Sequence, residues 1–260
     1  MMSPYGSAAL GLLLGLFGGI LACLELGYRV GRNSSKRIHE QAYEGIGAIE
    51  AAVFALLGLL LGFSFAGATS RLDSRRQLIV REANAISTAY LRLDLLPPID
   101  QPRMRHLFRD YLDARVRAYE KFAYREAAAQ EFARASDLQR QIWSQALTAS
   151  REDQTQDSAR LLLPALNEMI DVTTSRSVAL ENHLPALVFY LLISVALLTG
   201  LLAGYAMSKR RSRSWLHILL YAVVISATIY AIFDFDNPRY GLIKADAADK
   251  TLLQLRDSIQ

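Results

Sequence analysis

The sequence predicts an all-α fold: a four-span helical membrane protein carrying a helical-bundle extramembrane insert between spans two and three. Three observations lead there. Four stretches, about 8–28, 47–69, 185–207 and 214–233, are almost free of charge. Each approaches the roughly 20 residues a helix needs to cross about 30 Å of hydrocarbon. The block between the second and third, about 70–184, is densely charged and contains no glycine, and strand signals are essentially absent. The chain therefore divides into a first transmembrane hairpin (1–69), a bundle (70–184), a second hairpin (185–235) and a C-terminal tail (236–260).

The first span has no basic segment before it, its apolar stretch is long, and "ELGYRVGR" rather than a small-residue cleavage site follows it. It reads as a retained span, not a secretory signal. The single cysteine, Cys23, lies within it, so no internal disulfide is available. The formal charge of +4 comes largely from two short loops, "RVGRNSSKR" and "SKRRSRS", while the insert is nearly balanced. Basic residues in short loops beside spans are an orientation signal and attract anionic headgroups. The expected surroundings are thus a lipid bilayer, not nucleic acid. Two crossings separate the loops, so they share one side, and the positive-inside tendency makes that side cytoplasmic. The N-terminus, insert and tail then lie outside. Arg71, Arg75, Arg76 and Arg81 crowd the far end of span two and pull the other way.

From Leu72, apolar residues recur at seven-residue steps: Leu72, Ile79, Ile86 and Leu93, with Ala83 and Tyr90 between them. That is a stripe on one helix face. No glycine or proline interrupts residues 68–96, so span two is expected to run on as one helix of about 50 residues, roughly 75 Å long. "LPPIDQP" breaks it, with Asp100 as N-cap and Pro102 in the first turn of the next helix. Met104, Leu107, Phe108, Tyr111, Ala118 and Phe122 mark that helix's apolar face. Phe132, Leu138, Ile142, Trp143 and Ala146 belong either to a third helix or to its continuation. "TASREDQTQDS" reads as a polar turn. The last helix carries Leu162, Leu166, Met169, Ile170, Thr173 and Leu180 and leads into span three past Pro185. The expected product is an antiparallel bundle.

Small residues four apart mark the spans: Gly11 and Gly15, Gly58 and Gly62, Gly200 and Gly204. Such spacing lets helix backbones approach closely in lipid, within a chain or between copies.

Chemistry-bearing motifs are few. No nucleotide loop, zinc motif or nucleophile elbow is present, and neither an enzyme nor a cofactor is expected. His106, Asp110 and Asp113 share a helix face, but Arg103, Arg105 and Arg109 surround them, which makes a salt-bridged surface, not a metal site. His39, His183 and His217 lie near membrane ends and read as interfacial. Glu25 has Arg29 four residues on. Glu50 has no such neighbour and sits a turn inside span two, where a carboxylate is costly and often functional. It is a pore or proton-handling candidate. Glu82 and Asn84 fall just beyond the membrane and are vestibule candidates. Span four ends "IFDFDNPRYGLI". Asp234 and Asp236 sit where the helix dipole disfavours negative charge, so either they lock a helix stop through Arg239 or they form part of a pore or gate with it.

Taken together, "IEAAVFALLGLLLGFSFAGATSRLDSRRQLIVREANAISTAYLRLDLLP", "FRDYLDARV", "LENHLPALVF" and "FDFDNPRYGLI" resemble a family of bacterial membrane proteins labelled bestrophin-like. The resemblance covers most of the chain and implies a four-span inner-membrane protein with a helical insert. Asp234, Asp236, Pro238, Arg239 and Gly241 match the family's ending, whereas Asn237 stands where an arginine is usual. The label implies an oligomeric anion channel, although bestrophins keep their insert in the cytoplasm. Two readings follow. One is a homo-oligomer that conducts or gates small ions. The other is a membrane-anchored scaffold or sensor whose bundle binds an envelope partner or ligand.

Overall fold

The computed structural model describes residues 4–34, 42–122, 124–152, 157–208, 214–237 and 246–259. His39, Pro238, Arg239, Gly241, the last three residues of the first basic loop and most of the second lie outside them. The fold is all-helical as the sequence predicts, with no strand among the described residues. Four helical runs, Leu10–Asn33, Gly47–Leu95, Ala159–Met207 and Trp215–Asp236, are long and apolar enough to cross a membrane. Contacts divide the chain into two compact units, Met1–Arg71 with His183–Ile243 and Leu72–Asn182 with Lys244–Gln260.

The first unit contains α1 (Pro4–Ser34), the start of α2 (Ala42–Leu91), α6 (Ala186–Met207) and α7 (Trp215–Asp236). Its core gathers Ile20, Leu24, Leu57, Leu192, Ala222 and Ile229. Large apolar side chains such as Phe63, Leu187 and Leu216 remain exposed on its surface, which suits a lipid solvent. α1 packs most extensively against α6. There a side chain on Gly27 would strike the Leu201 carbonyl, and one on Gly204 the Leu24 carbonyl. Gly200 also faces α1, through Ile20. Gly11, Gly15, Gly58 and Gly62 meet open space within the chain. The repeated small-residue spacing therefore marks one internal contact and leaves the other two pairs unengaged in the monomer.

The second unit begins where α2 emerges. α2 is one helix of 50 residues, and a 3-10 turn (Arg92–Leu95) ends it before the prolines. Leu72, Ile79, Ile86 and Leu93 are all buried, as their seven-residue spacing requires. α3 (Gln101–Glu120) and α4 (Arg125–Glu152) pack together and are separate helices. A π-helical turn (Ser158–Leu162) leads into α5 (Leu163–Glu181). The core joins Phe108, Tyr111, Ile142, Leu166 and Met169.

Two expectations change here. Asp100 does not cap α3 through its side chain: its backbone is already helical, and its Oδ1 accepts from Gln145 Nε2 at 3.2 Å. The backbone carbonyl of Asp100 starts the helix instead, accepting from Met104 N at 3.1 Å. The segment expected as a tail contains α8 (Asp246–Ser258), which packs on α3 and buries Leu252.

Candidate functional site

At its C-terminal end, α7 places Asp236 in a joint of three chain segments. The side chain is 6% exposed. Oδ1 accepts from Arg71 Nε of α2 at 2.8 Å, and Oδ2 accepts from the backbone N–H of Leu184 at 2.9 Å. His183 Nδ1 lies 3.5 Å from Oδ2 and 3.2 Å from the Asp236 carbonyl. Each bond answers a need. Residues 182–185 are not helical, so the Leu184 N–H has no helical partner and would be costly to bury alone. A carboxylate at a helix C-terminus is disfavoured by about 0.3–1 kcal/mol, and the cation from α2 offsets that. The Arg71 Nη2 atom is also buried and has no hydrogen-bond partner among the described residues. Arg71, a cation remote in sequence, thus meets Asp236; Arg239 lies outside the described residues. Asp234 is also buried, 2% exposed.

Glu50 is half-buried on α2, and its Oε1 is enclosed without a hydrogen-bond partner among the described residues. Elsewhere in the spans the Ser226 hydroxyl is also buried without a partner among the described residues, whereas other polar groups are satisfied. Tyr221 Oη donates to Thr199 Oγ1 at 2.7 Å, and Thr199 bonds back to the Val195 carbonyl.

In the second unit the two vestibule candidates part company. Asn84 is exposed, whereas Glu82 is fully buried. Glu82 Oε1 accepts from Arg115 Nε at 2.6 Å, and Oε2 accepts from Arg176 Nη1. Arg115 also donates to Tyr119 Oη, and the Arg176 guanidinium carbon lies 3.6 Å from the Tyr119 ring centre. Burial works against the Arg115 charge, but Tyr119 and Glu82 outweigh it and hold the guanidinium above its ordinary pKa. Tyr111, beside Arg115, has its phenol pushed up mainly by burial, with Glu82 adding to the shift and Arg115 opposing it. Arg75 lies near the start of the same apolar stripe and ends α5, donating to the carbonyls of Ala179 (3.0 Å) and Asn182 (2.7 Å). Arg71 and Arg75 thus serve the internal structure of their units, and their crowding has a cause other than topology.

Arg71, Arg115 and Arg176 were not picked out from the sequence as functional residues. A signal existed for two of them. Arg115 and Arg176 occupy positions on the apolar stripes of α3 and α5, as Glu82 does on α2. Charges of opposite sign on facing stripes are expected to meet. The face carrying His106, Asp110 and Asp113 is exposed and resolves into separate pairs, His106–Asp110 at 3.6 Å and Arg117–Asp113 at 3.7 Å. Among the described residues, no group of three or more metal-binding side chains assembles.

A Bestrophin-like domain model matches residues 18–248. Among solved structures, a bacterial bestrophin homolog from Klebsiella pneumoniae, carrying a tryptophan-to-alanine mutation, superposes with a TM-score of 0.62 at 16% identity. The match covers 94% of this chain and 98% of that one. A comparison with curated proteins found no match.

Proposed function

Because the chain belongs to the bestrophin-like family, we propose that it assembles as a homo-oligomer in the bacterial inner membrane and conducts or gates small ions. The observation that carries this reading is Glu50, an acid inside a span with one carboxyl oxygen enclosed and unmatched. Such a group is expensive in a bilayer unless it faces a wetted path or a partner. Glu50 is the polar residue of that path. Asp236 acts at the gate as a positioning residue, tying α7 to α2 and to the start of α6; Asp234 and Arg239 belong to the same membrane edge. The short basic loops are cytoplasmic, and the bundle faces the periplasm or the exterior. Cysteine labelling tests that orientation: replace Cys23, place a cysteine at His106, and add a membrane-impermeant thiol reagent to intact cells. Protection of that cysteine would reverse the topology.

Current through the purified protein in planar bilayers tests the function, with Glu50→Gln and Asp236→Asn beside the native chain. Glu50→Gln is expected to change ion selectivity, and Asp236→Asn the open probability. A folded oligomer silent across voltage, pH and calcium would favour the scaffold or sensor reading instead.

A further inference from the structure

A groove of about 400 Å3 runs along the second unit between the end of α2 and the start of α5. That size falls in the range of small-molecule sites, about 300–1,000 Å3. One wall carries Arg81, Asn84 and Thr88 of α2 and Arg92 of the 3-10 turn that follows it, and the other carries Pro164 and Glu168. The α2 residues follow helical spacing, three or four residues per step, so they form one polar face. On the opposite wall Pro164 and Ala165 present little side-chain bulk.

The polar groups here are uncommitted or weakly committed. Asn84 and Thr88 make no hydrogen bond to another described residue. Arg92 uses Nη1 on the Leu161 carbonyl at 2.6 Å, leaving other donors of a five-donor fork. Arg81 pairs with Glu168 at 3.2 Å, but the two side chains are 63% and 55% exposed, where such pairs contribute little. A ligand carboxylate can therefore replace Glu168 as the partner of Arg81. Two arginines against one glutamate leave one net positive charge on the lining.

We propose that this groove binds a small organic dicarboxylate. A guanidinium recognises a planar carboxylate through two parallel hydrogen bonds. Arg81 and Arg92 stand eleven residues apart, roughly 16 Å of helix, and their long side chains close on the two ends of an extended ligand. Asn84 and Thr88 hydrogen-bond its acidic groups from between them. The site needs no property of the spans, so its binding is measurable whether or not the protein conducts.

Calorimetric titration of the full chain in detergent with adipate tests this, using the neutral adipamide and the one-ended acetate as controls. Saturable adipate binding is expected, at least ten-fold tighter than either control. Arg81→Gln and Arg92→Gln should each weaken it ten-fold or more, and Asn84→Ala a few-fold. Arg92 also ties down the π turn, so Arg81→Gln, at an exposed position, keeps the test valid if Arg92→Gln fails to fold. Equal binding of adipamide or acetate, tighter binding of inorganic phosphate, or adipate binding unchanged in Arg81→Gln would overturn the proposal.

Discussion

Two buried carboxylates, each held by arginine, perform different tasks in this protein. Among the described residues, Asp236 at the membrane edge meets Arg71, the Leu184 backbone N–H and the partly exposed His183. Glu82 in the bundle has two arginines, both almost fully buried and lined by aromatic rings. The first is a joint, and Arg71 keeps 21% of its side chain exposed. The second is a lock: two guanidinium groups share one carboxylate, and the surplus charge rests on tyrosine and phenylalanine faces. Cation–π contact and the Arg115–Tyr119 hydrogen bond help make that tolerable away from water. A joint that must move suits the first design. Fixing three helices in register suits the second.

The largest effect should come from breaking the lock. Glu82→Ala leaves two buried cations without their carboxylate, which costs about 3–5 kcal/mol. A melting curve of the purified protein should show early loss of the bundle, and a native-like curve would dismiss the lock. The joint should yield less. Asp236→Ala or Arg71→Ala each removes a charge-assisted bond, a loss of about 1–3 kcal/mol. A double-mutant cycle separates their coupling from the loss of the Leu184 contact, which only Asp236→Ala removes. Coupling near zero would make the joint incidental. The smallest effect is spectroscopic. The Tyr111 phenol is pushed above its ordinary value, so the folded state keeps its proton longer than the unfolded state does. Its contribution to stability is complete below about pH 10 and declines as pH rises toward the folded value. Ultraviolet titration, native against Tyr111→Phe, should show that the phenolate lost in the variant forms above the ordinary tyrosine range. Ionisation of Tyr111 at or below pH 10 would contradict its buried setting.

The elements were legible because their signals are local. The stripe from Leu72 to Leu93 fixes both the helix and its buried face, and the absence of glycine and proline fixes its length. What stayed illegible was pairing at a distance. Arg239, the cation beside Asp236 in sequence, lies outside the described residues, but Arg71, which also meets Asp236, lies 165 residues away, and no sequence spacing encodes that. Small-residue spacing marked three glycine pairs equally well. Only Gly200 and Gly204 face α1, where Gly27, outside those pairs, completes the approach. Helix register decides this, and composition does not. Asp100 illustrates a further limit: a residue type that favours caps was drawn to a tertiary partner, Gln145.

Glu50, Arg71 and Glu82 all ride on α2, which has no break from Ala42 to Leu91. An uninterrupted helix transmits torque as a shaft does, because none of its residues supplies a swivel. Turning it by a single residue position, about 100° at 3.6 residues per turn, would swing Glu82 out from between Arg115 and Arg176. The angular setting of α2 within the bundle is thus indexed by a polar socket, Arg115 and Arg176 around Glu82. Substitutions at Arg115 or Arg176 consequently free α2 to turn within that bundle.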